Sequence, residues 1–205
     1  MSTSETIKVK EPPSHSQISE SYLNLPNSLT VSRILLIPVF VWLFSEPTHE
    51  RSFAAAVVFT IAALTDLLDG YVARRRGQIT NLGKLLDPVA DKLLVAAGLV
   101  LLVEFQRVDV WLVIAIIARE IIVTGARAVA AREGLIIPAD SFGKIKVVSQ
   151  IIGIIALIVE DVFTLPILSL HDVGTWLLWI ALLFAVISGM RYLIVVLRRV
   201  GPQYL

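Results

Sequence analysis

Six long apolar runs, with no polar domain between them, constrain this chain more than any other feature of its sequence. They are Leu29–Phe44, Phe53–Leu68, Leu93–Phe105, Val110–Ala131, Val147–Phe163 and Val173–Leu197. Their length and lack of strict alternation favour helices over the strands of a barrel. Hydrophobic residues make up 56% of the chain, above the roughly 45–50% of soluble domains. The prediction is an all-α integral membrane protein with six transmembrane helices.

Several runs are shorter than the ~20 residues that cross a bilayer, so the spans must include neighbouring polar residues. The second span is predicted to run past Asp69 and the third to begin near Gly83, which makes residues 25–205 one membrane domain. Connections are predicted at Pro47, Arg107–Asp109 and Leu170–Asp172. The polar segment 1–24 lacks the apolar area needed to offset its ordering entropy and is predicted to be a mobile tail.

The basic residues are unevenly shared between the two sets of predicted helix ends. One set carries most of the Lys and Arg, whereas the other has only Arg51 and Arg107, accompanied by several acids. The positive-inside rule therefore places both termini in the cytoplasm, in agreement with an even number of spans. A net charge of +1 does not indicate a nucleic-acid partner, and the absence of Cys excludes disulfides, zinc thiolate sites and cysteine nucleophiles.

Four aspartates on two consecutive predicted helices form the strongest candidate for chemistry. Asp66 and Asp69 share a helix face with the small residues Gly70 and Ala73, and Arg74 follows them. On the next helix the matching face carries residues spaced by four, which are Gly83, Asp87 and Asp91. Two antiparallel helices joined by a short loop can therefore point four carboxylates at one another.

Four carboxylates at a membrane edge would repel one another and be driven to protonate unless cations lie between them. Oxygen ligands favour Mg²⁺ or Mn²⁺, and four carboxylates favour two ions over one. Small side chains at Gly70 and Ala73 leave room for a bulky group, and Arg74 can engage a phosphate. Singly, each aspartate could cap a helix or pair with a surface arginine, but their joint spacing favours a functional site.

The spacing D-x2-D-G-x2-A-R-x8-G-x3-D-x3-D resembles the signature of the CDP-alcohol phosphotransferase family at every fixed position. The resemblance implies a homodimeric six-helix membrane enzyme in which Asp66, Asp69 and Asp87 bind metal and the CDP-lipid diphosphate. It implies that Asp91 is the general base and also lies near the metals. The residues that it assigns to the CDP-lipid are Gly70, Ala73, Arg74 and Gly83, together with Asn27 and Thr30 of the matching segment 25–30.

Other matching stretches resemble bacterial members of the family that use CDP-diacylglycerol and glycerol 3-phosphate and release CMP. They include Leu86–Leu93, Ala118–Ile122 and Gly143–Lys146, and Val147 departs from the threonine that commonly follows. The acceptor phosphate is expected to contact five basic residues, which are Arg119, Arg127, Lys144, Lys146 and Arg191. Arg119 and Glu120 lie in an otherwise apolar span, so the cost of burying them indicates a paired or ligand-facing role.

Other interpretations of the same residues stay open. Lys144 and Lys146 could simply mark the membrane interface, and Arg119 could pair with Glu120. The acceptor could be inositol phosphate, serine or phosphatidylglycerol. A metal-binding membrane transporter is a different class, but transporters carry paired broken helices in related halves and this sequence shows no such repeat. The expected location is the bacterial cytoplasmic membrane, with the active site facing the cytoplasm and the four tryptophans anchored at interfaces.

Overall fold

The computed structural model describes residues 25–76, 81–132, 134, 141–163 and 169–200, with side chains for 31–65, 89–132, 134, 142–163 and 169–198. All regular structure in these residues is helical: α1 (Leu25–Phe44), α2 (His49–Arg76), α3 (Asn81–Glu104), α4 (Val110–Arg132), α5 (Ser141–Ile158) and α6 (Leu170–Val200). The all-helical prediction is confirmed for this part of the chain. As predicted, α2 runs past Asp69 and α3 begins near Gly83, whereas the predicted tail 1–24 lies outside the described residues.

Helices α4 and α2 begin at side chains that cap their first turn. Asp109 Oδ1 accepts hydrogen bonds from the amides of Trp111 and Leu112, at 2.8 and 3.3 Å, at the start of α4. Thr48 Oγ1 accepts from the Arg51 amide at 3.3 Å before α2. Such oxygens satisfy amides that lack a partner within the helix.

One predicted connection is wrong, because α6 already includes Leu170–Asp172. Ser169 Oγ accepts a hydrogen bond from the Asp172 amide at 3.4 Å, so the polar residues that suggested a loop form the first turn of a capped helix.

The turn after α3 positions the buried side chain of Arg107 against the end of α5. Gln106 has a φ of 57°, and the Arg107 amide donates to the Leu102 carbonyl at 2.8 Å, which closes the helix end. Arg107 Nη1 donates to the carbonyls of Leu157 and Ile158 at 2.9 and 3.0 Å, and Nη2 pairs with Asp161. The guanidinium thereby satisfies carbonyls that the last turn of α5 leaves open.

The six described helices pack around an apolar core. α1 contacts α2 and α3, α2 contacts α5, and α6 contacts both α4 and α5. Aromatic rings fill the end of the bundle where α1 and α3 finish: the ring centroids of Phe40 and Phe59 are 5.3 Å apart, and those of Phe44 and Phe105 are 5.4 Å apart. This end also holds Arg107 and the starts of α2 and α4, so the opposite end of the bundle gathers the starts of α3 and α5.

Close contact between α5 and α6 depends on two glycines. A Cβ atom on Gly174 would lie 2.6 Å from Leu157 Cγ and 2.9 Å from the Gly153 carbonyl oxygen. Small residues of this kind allow helices in membranes to approach closely.

We expect Gly174→Ala to lower the free energy of unfolding by about 1–3 kcal/mol, because overpacking forces the two helices apart. The matched control is Gly125→Ala in α4, where an added Cβ would meet no atom within 4 Å. The measurement is the thermal unfolding midpoint in detergent. Equal midpoints for the two variants would contradict this account of the α5–α6 contact.

Much of the outward surface of the bundle is apolar. Among the described residues, one helix, Leu170–Arg198, has the length and composition needed to cross a membrane. Its most apolar 18-residue window has a mean hydropathy of 2.4. Only 22% of its most apolar window is buried within the chain. The four tryptophans are all at least half exposed, and they lie toward the end of the bundle where α2, α4 and α6 begin: Trp42, Trp111, Trp176 and Trp179.

Candidate active site

Helices α2 and α3 place the four predicted metal ligands in the half of the bundle where α2 ends and α3 begins. Asp66 lies ten residues before the end of α2, and Asp91 lies ten residues after the start of α3. At about 1.5 Å per residue, both are roughly 15 Å from the link between the helices. Asp69 and Asp87 lie seven and six residues from the same two ends, so the backbone also matches their levels.

The structure does not describe the side chains of most residues in this predicted site. They are Asp66, Asp69, Asp87, Gly70, Ala73, Arg74, Gly83, Asn27 and Thr30, and their roles stay predictions. Among the described side chains, no group of three or more His, Cys, Asp and Glu is placed to hold a metal ion. An all-aspartate donor set at matched helix levels nevertheless fits a hard divalent cation, which prefers oxygen ligands.

A buried arginine of α1 contacts the backbone of α2 one helical turn before Asp66. The side chain of Arg33 is fully buried, and its Nε donates to the Ala62 carbonyl at 3.3 Å. Ala62 precedes Asp66 by one turn of α2.

Two of the predicted acceptor residues meet at a single carboxylate. Glu120 Oε1 accepts a hydrogen bond from Arg119 Nη1 at 2.7 Å and also pairs with Lys146 Nζ. Arg119 Nε donates to the Ala185 carbonyl of α6 at 2.7 Å. The interpretation that Arg119 pairs with Glu120 is confirmed, and the network joins α4, α5 and α6.

The other three predicted acceptor residues are exposed at the same end of the bundle. Lys144 lies near the start of α5, and the Arg127 guanidinium carbon lies 5.6 Å from the centroid of the Tyr192 ring. The Arg191 guanidinium carbon lies 5.1 Å from the centroid of Phe142. Cations at these positions can attract an anion toward the buried pair Arg119 and Lys146.

A cavity of about 530 Å³ lies between α3, α4 and α5. Most of its wall is aliphatic, and its polar lining is Asp91, Lys92, Glu120, Thr124, Lys146 and Gln150. Asp91, Glu120 and Lys146 lie nearer to the end of the bundle where α3 and α5 begin than the aliphatic lining does, which includes Leu99, Ile116 and Ile151. The cavity therefore joins an apolar interior to an ionic end that contains the predicted general base.

Four polar residues of this cavity were not among the predicted site residues: Lys92, Glu120, Thr124 and Gln150. Glu120 pairs with both Arg119 and Lys146. The sequence feature that indicates its role is a carboxylate inside an apolar span. Gln150 is 3% exposed, and its Nε2 has no hydrogen-bond partner among the described atoms. Gln150 also lies inside a predicted apolar run, so its amide was a weaker signal of the same kind, but only packing determines that it faces the cavity.

Comparison with known proteins gives a consistent result along the chain. Residues 23–187 match the CDP-alcohol phosphatidyltransferase family. A protein of Bacillus subtilis (strain 168) named CDP-diacylglycerol–glycerol-3-phosphate 3-phosphatidyltransferase is 43% identical over 182 residues, which cover 82% of this chain and 93% of the relative. A protein of Rickettsia typhi with the same name is 37% identical over 169 residues, covering 82% and 94%. Another, from Pseudomonas fluorescens, is 44% identical over 142 residues, covering 66% and 72%.

Proposed function

This chain belongs to the CDP-alcohol phosphatidyltransferase family, and we propose that it transfers the phosphatidyl group of CDP-diacylglycerol to glycerol 3-phosphate. The products are phosphatidylglycerol phosphate and CMP. The observation that carries the proposal is the similarity, over 82% of the chain, to relatives named for this reaction. Several physical features of the site support it.

The cavity between α3, α4 and α5 suits an amphiphilic donor. Its aliphatic walls, which include Leu99, Ile116 and Ile151, provide an apolar surface for an acyl chain. Asp91 and Lys146 at its ionic end then lie where the polar head of the same lipid would be. An opening between helices would let the lipid enter from the bilayer while its chains stay in hydrocarbon.

The metal site is proposed to consist of Asp66, Asp69, Asp87 and Asp91, holding two Mg²⁺ or Mn²⁺ ions. Ions bound there would supply charge neutralisation at the CDP diphosphate. Small residues at Gly70, Ala73 and Gly83, with Arg74, Asn27 and Thr30, are proposed to hold the CDP-lipid.

Asp91 is proposed to act as the general base. Its carboxylate is half-buried at the ionic end of the cavity, so it can accept the proton of the acceptor hydroxyl. The hydroxyl oxygen then forms a bond to the lipid-side phosphorus, and the bond from that phosphorus to CMP breaks. Positioning and charge stabilisation provide most of the rate gain in reactions of this kind.

The acceptor phosphate is proposed to bind beside Arg119 and Lys146, whose side chains are almost buried. Charge-assisted hydrogen bonds from buried cations are stronger than those formed at the surface. The exposed residues Arg127, Lys144 and Arg191 would raise the local concentration of the anion.

We also propose that all six helices span the bacterial cytoplasmic membrane, with residues 25–205 as one domain, 1–24 as a tail, and both termini and the site facing the cytoplasm. Arg51 and Arg107, at the opposite end, pair with Glu46 and Asp161, so little unpaired positive charge is left there. The tryptophans at that end suit an interface, and exposed apolar side chains suit lipid or the second subunit of a homodimer.

Release of CMP by purified protein tests the proposed reaction. With CDP-diacylglycerol and Mg²⁺, we expect release to depend on glycerol 3-phosphate and to stop when a chelator removes the metal. Inositol phosphate, serine and phosphatidylglycerol serve as alternative acceptors. Preferential use of one of these, or release that survives the chelator, would contradict the proposed acceptor or the metal site respectively.

A further inference from the structure

Glu120 accounts for the placement of Lys146 at the ionic end of the cavity. We infer that Glu120 is a positioning residue for the acceptor, which holds the Lys146 ammonium where it meets the phosphate of a small alcohol phosphate. The inference rests on the proposed function and adds a residue that the family signature does not include.

The two cations bound to Glu120 differ in how firmly they are held. Arg119 has a second tether, because its Nε donates to the Ala185 carbonyl, and Gly189 lies against it: a Cβ there would be 3.2 Å from Nε. In the described part of the chain, Lys146 donates a hydrogen bond to Glu120 alone. Removing the Glu120 carboxylate would therefore release Lys146 and leave Arg119 fixed to α6.

A released lysine would not keep its place. Its long, flexible side chain has rotamer entropy to regain, and the Asp91 carboxylate attracts the ammonium from the α3 wall of the same cavity. Glu120 thus keeps Lys146 available to the acceptor and away from the proposed base. Lys146 is 8% exposed, so its ammonium has little access to water as a substitute partner.

Simple electrostatics gives the opposite expectation. Glu120 is an anion beside a site for an anionic substrate, so removing its charge would strengthen phosphate binding if charge alone mattered. The sign of the change in KM therefore separates a positioning role from a purely electrostatic one.

Glu120→Gln, which keeps the shape of the side chain, provides the test. We expect the KM for glycerol 3-phosphate to rise about tenfold, with kcat and the KM for CDP-diacylglycerol changed less than about twofold. In a Lys146→Met background, Glu120→Gln should raise the KM for glycerol 3-phosphate by less than about a further twofold, because the two residues act together. An unchanged or lower KM, or independent effects of the two substitutions, would overturn the inference.

The matched control is Glu160→Gln. Glu160 is also a largely buried glutamate near an arginine, with Oε1 3.5 Å from Arg107 Nε, but it lies at the opposite end of the bundle. Glu160→Gln should leave the KM for glycerol 3-phosphate unchanged. A rise in the KM of Glu160→Gln equal to that of Glu120→Gln would assign the effect to general loss of stability.

If Glu120→Gln does not fold, Glu120→Asp provides a second test. It keeps the charge but shortens the reach of the side chain, and it should also raise the KM for glycerol 3-phosphate. Wild-type protein without CMP release would instead refute the proposed function.

Discussion

Asp91→Asn is expected to lower phosphatidyl transfer by about 10²–10⁴-fold, the range typical for loss of a positioned general base. The amide cannot accept the proton of the acceptor hydroxyl, although it has nearly the same shape as the carboxylate. Since Asp91 lines the cavity between α3, α4 and α5, the substitution acts at the proposed reaction centre. CMP release at saturating substrates and saturating Mg²⁺ measures the effect. Binding of CDP-diacylglycerol should persist, because Asp66, Asp69 and Asp87 are proposed to hold the metal without Asp91.

Asp172→Asn is the control for this experiment. Asp172 is an exposed aspartate in the first turn of α6, at the end of the bundle away from the cavity. It should retain normal turnover. Near-normal turnover in Asp91→Asn as well would rule out the proposed base.

Asp66→Asn is expected to weaken metal-dependent binding of the CDP-lipid and to reduce turnover by at least about 100-fold. Loss of a residue that only supports a metal ligand typically costs 10–100-fold in metal affinity, so loss of a ligand should cost no less. The Mg²⁺ concentration required for half-maximal CMP release should rise, which a titration of Mg²⁺ at fixed substrate measures.

The contrast with Asp91→Asn makes this result specific. Asp66→Asn should impair CDP-lipid binding itself, whereas Asp91→Asn should mainly impair turnover. An unchanged Mg²⁺ midpoint in Asp66→Asn, with normal CDP-lipid binding, would remove Asp66 from the proposed metal site.

Features that depend on spacing along one helix were predictable from the sequence. The apolar runs predicted the helices because burial of apolar surface has a helical period, and the predicted connection Arg107–Asp109 ends at the residue that caps α4. Asp66 and Asp91 could be placed at matched levels because a helix rises by a constant amount per residue. The boundary at Leu170 was missed because a polar first turn has the same composition as a loop.

Features that depend on contacts between helices were decided only by the tertiary structure. Glu120 and Lys146 lie on α4 and α5, and Arg107 reaches from the α3–α4 turn to the end of α5. Such pairs depend on the rotation and depth at which helices pack, which no local pattern encodes. The sequence by itself thus determined the helices, the levels of the aspartates and the family signature. Packing alone decided that Lys146 would face Glu120 at the ionic end of an apolar cavity, because burial required a partner for its charge.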